Sequence, residues 1–163
     1  MITTYAKLNG TNLDTLTRIP NVANASEDAL RSYALSHGYK EVVYTNSPGE
    51  WYTPSFELID NKIKQVWTPF SLVQKFSVIQ ANIQALLDRT AAEKNYDNIF
   101  TALTYLNSTN PTFKAEAEAL RDWRDDIWTR CYAYLADVEA GKEEMPSSWT
   151  EVEEKLPKFT WPS

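Results

Sequence analysis

The chain has 163 residues, 43% of them hydrophobic and 13% aromatic, which suits one ordinary domain or two small ones and is too apolar for a disordered chain. A formal net charge of −6 argues against a protein that binds nucleic acid by neutralising phosphates and against one that docks on anionic lipid. A single cysteine, Cys131, excludes an intrachain disulfide, and no run approaches the ~20 apolar residues of a membrane span.

Met1-Ile2-Thr3-Thr4-Tyr5 has neither the basic start nor the apolar run of a signal peptide, so synthesis in a cytoplasm as a soluble protein is expected. Tyr5-Ala6-Lys7-Leu8 alternates and predicts a strand, with Asn9-Gly10 as a hairpin turn. Leu13 to Ile19 also alternates, and Pro20-Asn21 closes it. A helix follows over 26–38, with Ser26 as N-cap, Glu27 and Asp28 at the positive end of the dipole, and Gly38 as the stop. His37, the only histidine, sits in its last turn and has no second His or Cys with which to build a metal site. Tyr39 to Thr45 reads as a strand and Asn46-Ser47-Pro48-Gly49 as a loop. Trp51 to Ile59 and Lys62 to Trp67 predict a second hairpin across Asp60-Asn61.

At Thr68-Pro69 the pattern turns helical, with Thr68 as cap, and continues to about Asn95. Leu72, Phe76, Ile79, Ile83, Leu86 and Thr90 repeat as a heptad seam. The seam is expected to pack against a later helix of the same chain, with self-association as a coiled coil the other use of it. A shorter helix from Asp97 carries Ile99, Phe100, Leu103 and Leu106. The longest helix runs over 111–140: Asn110 caps it, Pro111 takes the first helical position, and Gly141 ends it. Phe113, Ala117, Leu120, Ile127, Cys131, Tyr134 and Val138 form its apolar stripe, widened by Trp123, Trp128 and Leu135. Ser148 and Glu151 fit a capping box for a last short helix, and Pro157 stops it. The tail from Lys158 to Ser163 carries Phe159 and Trp161 with no helix to hold them.

Chemistry is sparse. There is no phosphate loop, no His-Glu-x-x-His and no Cys-x-x-Cys, so no cofactor, no metal and no catalytic residue is expected. Asp122, Asp125 and Asp126, with Glu116 and Glu118 a turn earlier, share their helix with Arg121, Arg124 and Arg130 and read as a solvated, salt-bridged face. Cys131, on the apolar stripe, reads as a small core residue. The residues that stand out are aromatics at the edges of segments: Trp51, Tyr52, Trp67, Phe159 and Trp161 are the candidate partner contacts, because Trp and Tyr dominate protein hot spots and also stack on sugars.

From Asn110-Pro111-Thr112-Phe113 through Arg121-Asp122-Trp123 to Ile127-Trp128, then Cys131-Tyr132 and Ala136 to Gly141, the sequence resembles the C-terminal segment of small tailed-bacteriophage and prophage proteins encoded with tail fibres. Tyr96 to Ile99, the tail from Leu156 to Pro162, Tyr5 to Leu8, and stretches between Gly38 and Trp67 are similar to the same set. The family is that of tail fibre assembly proteins, fibre chaperones and minor tail proteins. The resemblance implies a non-enzymatic partner of a tail fibre or baseplate protein, located in the host cytoplasm during assembly and in the virion tail if retained, with no family catalytic residues to carry over. A receptor- or carbohydrate-binding tail tip is the other function considered. The fold expected is α+β: a small N-terminal mixed strand/helix module over 1–67, then an antiparallel three-helix C-terminal module over 68–163 with a short last helix and an aromatic tail.

Overall fold

A computed structural model describes residues 3–17 and 23–163. The expected strand end at Ile19 and its closure at Pro20-Asn21 lie outside these residues. The chain divides into two compact units, residues 1–70 and 71–163.

The N-terminal unit contains β1 (Thr4–Asn9), β2 (Asn12–Leu16), α1 (Glu27–Ser36), β3 (Lys40–Val43), β4 (Tyr52–Ile59) and β5 (Lys62–Pro69). The β1–β2 turn is set by Gly10, whose φ of 62° begins the two-residue loop between the paired Asn9 and Asn12. Asp60 and Asn61 both take positive φ between β4 and β5, as a primed two-residue hairpin turn needs. Helix α1 starts on the Ser26 side chain, which accepts from Ala29 N. It ends where Gly38, at φ 79°, lets Tyr39 N donate back to Ala34 O.

These pieces form a sheet larger than a small mixed module. All five strands join in the order β2-β1-β3-β5-β4. The four-residue β3 makes the junction: it pairs antiparallel with β1 and parallel with β5. Its parallel register covers only Val42↔Ile63 and Val43↔Lys64. Thr45 lengthens the junction, its N–H donating to Gln65 Oε1 (3.1 Å) and its hydroxyl to Gln65 O (3.2 Å). Register puts Ala6, Val42 and Ile63 on one face, where they form the buried core with Leu8, Leu13 and Phe56 packed around it. Edge strand β4 also approaches β1 and β2, its non-neighbours in the sheet, so the sheet curls over this face. Pro54 falls in β4, an edge strand, where a missing N–H is tolerated.

The C-terminal unit does not form an antiparallel three-helix module. Two long helices, α2 (Leu72–Ala92) and α4 (Pro111–Glu139), make its frame. They run antiparallel: Phe76 meets Tyr132 at one end, and Lys94 meets Glu116 at the other. The expected middle helix is only α3 (Ile99–Leu103), tightening into a 3₁₀ turn over Thr104–Asn107. The segment offers Thr101, Thr104, Asn107, Ser108 and Thr109, residues that favour caps and turns over helix interiors, so it cannot supply a third full-length helix. Asn98 caps α3 through Thr101 N, and Asp88 of α2 accepts from Ile99 N at 3.0 Å. The third layer comes instead from α5 (Trp149–Lys155) and the tail after it.

The start of α2 also differs from expectation. Thr68 and Pro69 finish β5, paired with Thr53 and Tyr52, and Ser71 is the N-cap. Ser71 and Gln74 form a complete capping box, a stronger local signal than the Thr-Pro pair. Asn95, at φ 64°, closes the far end in the same way as Gly38 and Gly141. The buried line of α2 is Ile79, Ile83, Leu87, Thr90 and Ala91. It drifts off the heptad seam from Leu86 to Leu87, as a straight helix of 3.6 residues per turn must. That line is spent inside the unit, where Ile83, Leu87, Ile99, Leu120 and Ile127 are fully buried at about 1.5–3 kcal/mol each.

Candidate functional site

The five predicted contact aromatics fall into two groups, one in each unit. Trp51 is only 4% exposed. Its carbonyl accepts from Phe70 N at 2.8 Å, closing the open end of the β4–β5 hairpin, and its ring tilts against Phe70. Its indole N–H is buried with no partner among the described residues. An orphan donor of this kind costs about 1–3 kcal/mol. Trp51→Phe removes that cost while giving up some ring volume, so chemical denaturation is expected to show a change below about 1 kcal/mol. Tyr52 and Trp67 are half-buried neighbours on one sheet face, opposite Pro69 and Pro54 in register. The Trp67 indole donates to Thr45 Oγ1 at 2.9 Å, so its polar end is spent on the β3–β5 junction.

Phe159 and Trp161 are held by helices after all. Pro157 O accepts from Trp123 Nε1 at 2.7 Å, the Phe159 ring lies 4.8 Å from that of Trp123, and Trp161 stands edge-on to Phe159 at 4.7 Å. Trp161 Nε1 donates to Glu93 Oε2 at 3.0 Å, and Lys94 Nζ sits over its ring. Leu86 and Thr90 of α2 line the same groove. The tail is therefore a packed strap across α2 and α4, half-buried and not free.

The acidic run resolves into two environments. Asp122, Asp125 and Asp126 pair with Arg121, Arg124 and Arg130 on the outer side of α4. The Asp126 contact holds the Arg130 guanidinium above its ordinary range. Exposed pairs of this kind contribute little, so replacing all three aspartates with Asn should leave a denaturation midpoint almost unchanged. Glu116 departs from the solvated face read for it. It is 7% exposed and accepts from the Tyr96 hydroxyl at 2.7 Å, with Lys94 Nζ 3.7 Å away. The spacing carried a trace of this: Glu116 lies three residues from Phe113 and four from Leu120, on the apolar stripe itself.

Two further features went unread. One is a cavity of about 250 Å³ between α2, α4 and α5. Phe76, Ile79, Cys131, Leu135, Val152 and Leu156 give it an apolar wall. Burial pushes the Cys131 thiol up, which keeps it a protonated wall group and not a nucleophile. At its mouth Lys155 donates to the Tyr134 hydroxyl at 3.1 Å and lies over the same ring. The other is a ladder of rings that starts at Glu116's partner: buried Tyr96 meets Tyr105 at 5.5 Å, and Tyr105 meets Phe113 at 5.5 Å. Tyr105 and Phe113 are exposed, and Phe100 on α3 is 61% exposed. Exposed aromatic carbon of this amount suits contact with another protein.

Among the described residues, no group of His, Cys, Asp and Glu could hold a metal ion, and no helix is long and apolar enough to cross a membrane. Compared with protein-family models, with curated proteins and with solved structures, the chain matches none.

Proposed function

We propose that this chain is a non-enzymatic phage tail-associated protein that assists assembly of the tail fibre or baseplate, or stays attached to it. The likeness of residues 95–141 to tail fibre assembly proteins supports the reading. The observation that carries it is the exposed Tyr105–Phe113 ladder, which falls inside that same stretch and offers rigid aromatic surface to a protein partner. Its inner ring, Tyr96, is held by the hydrogen bond to Glu116, and Tyr105 packs on that ring. The protein acts in the host cytoplasm during assembly and goes into the virion tail if retained.

The test is co-expression with the fibre protein encoded beside it. Fibre solubility and trimer content should rise with this chain, and should fall back when Tyr105 and Phe113 are replaced by Ser. If trimer yield is the same with and without the chain, the proposal is wrong. The ratio of this chain to fibre in purified virions then separates a released chaperone from a retained component.

A further inference from the structure

We propose that the cavity between α2, α4 and α5 is a binding site for a small amphiphilic carboxylate, with a hydrocarbon body of about ten carbons and one anionic end. This does not depend on the tail-fibre reading.

The walls set the body of the ligand. Phe76 and Ile79 of α2, Leu135 of α4, Val152 of α5 and its capping Leu156 face a space of about 250 Å³. Folded interiors leave few voids larger than a water molecule, and a wall that faces nothing forfeits its dispersion contacts. Water does not restore them, since a held water needs two or more polar partners and these side chains provide none. A hydrocarbon does. A dry cavity of ~150 Å³ takes one benzene, so the volume here suits roughly ten carbons.

The rim sets the head group. Among the described residues lining the cavity the charged ones are Arg130 and Lys155, both cations, and no carboxylate joins them. Asp126 already takes the Arg130 Nε–H at 2.8 Å. Lys155 differs: it donates to a neutral phenol, the Tyr134 hydroxyl, at 3.1 Å, and its ammonium lies 4.5 Å from the centre of the same ring. The Tyr134 hydroxyl in turn donates to Glu144 O, which fixes the ring at the cavity mouth. That hydrogen bond from Lys155 holds its ammonium above the ordinary range, so it is charged at neutral pH. Glu143, Glu144 and Glu151 line an adjoining hollow and not this cavity, and Glu151 already accepts from the Ser147 N–H and hydroxyl. Glu143 and Glu151 temper the field at Lys155, but among the described residues neither forms an ion pair with it. A carboxylate on Lys155, with its hydrocarbon in the cavity, satisfies rim and wall together. An alcohol satisfies the wall alone, and an amine is repelled at the rim.

The test is titration of the full chain with decanoate, read by calorimetry and by the thermal midpoint. Decanoate should fill a single site and raise the midpoint as its concentration rises, as a ligand of the folded state does. Decylamine, with the same hydrocarbon and the opposite charge, should bind at least about tenfold more weakly. Lys155→Glu should reverse that order, which loss of the Tyr134 hydrogen bond alone would not do. Val152→Phe puts a ring where the hydrocarbon would lie and should abolish binding of both. The proposal is overturned if decanoate fails to bind at about 1 mM. It is equally overturned if the two probes bind wild type alike, if Lys155→Glu leaves their order unchanged, or if Val152→Phe binds decanoate as wild type does. Should Val152→Phe fail to fold, the reversal by Lys155→Glu decides alone, since Lys155 is an exposed residue whose replacement leaves the apolar wall intact.

Discussion

Replacing Trp123 with alanine should destabilise the C-terminal unit by about 3–5 kcal/mol, the range for truncating a buried aromatic. Trp123 is 8% exposed and joins the frame to the tail. Its ring lies against Phe159, and its indole N–H donates to the Pro157 carbonyl. Alanine leaves a void beside Leu86 and Thr90 and removes a direct hydrogen bond from α4 to the tail backbone. The result should be visible twice: as a lower denaturant midpoint, and as faster proteolysis after Leu156. Trp161→Ala, which removes a half-buried ring at the end of the strap, should cost clearly less while releasing the same segment. If Trp123→Ala changes stability by less than about 1 kcal/mol, the tail is not seated as described.

Tyr96→Phe should cost about 1.5–3 kcal/mol, because it takes from a buried carboxylate its only short donor among the described residues. Lys94, 3.7 Å from the other carboxylate oxygen, cannot replace it without drawing a long, half-exposed side chain inward. Glu116→Gln should cost less, since the amide oxygen still accepts from the phenol. The pair also predicts a pH dependence. Burial, then the hydrogen bond to Glu116 and its charge, raise the Tyr96 phenol above its ordinary value of 10.0. In the unfolded chain the phenol ionises near that ordinary value, whereas in the folded chain it keeps its proton. Above pH 10 the unfolded state therefore binds fewer protons, and stability falls as pH rises; below it both states are protonated and Tyr96 adds no slope. Unfolding free energy measured on both sides of pH 10 should show this alkaline loss in wild type, and Tyr96→Phe should flatten it. An equal slope in both proteins would show that Tyr96 titrates as a free phenol.

The sequence picked its candidate contact aromatics by their place along the chain, and their intrachain partners were not legible there, for a specific reason. Trp51, Trp67 and Trp161 stand at segment ends, and a segment end looks like an edge. In the structure Trp51 is covered, and the other two indoles donate to Thr45 and Glu93, residues 22 and 68 positions away. Phe100 and Phe113 were placed on apolar helical patterns, yet α3 is too short to cover them and both are exposed. Glu116 was grouped with its acidic neighbours because charge runs along a helix are usually solvated, whereas its position on the stripe outweighed its charge once Tyr96 supplied a donor.

The sequence by itself determined where most elements begin and end. Ser26, Asn110 and Ser148 cap helices, Gly38 and Gly141 close them, and Gly10 and Asp60-Asn61 turn hairpins, all through bonds reaching only a few residues along the chain. It also determined that the two halves differ in kind, because alternation gives way to helical spacing near residue 70. Only the tertiary structure decided that β3 would weld two hairpins into one curled sheet, that α5 and the tail would take the place of a third bundle helix, and which aromatic rings would be spent inside. These outcomes depend on partners dozens of residues apart, and a short strand or a lone tryptophan carries no local mark of which partner it will meet.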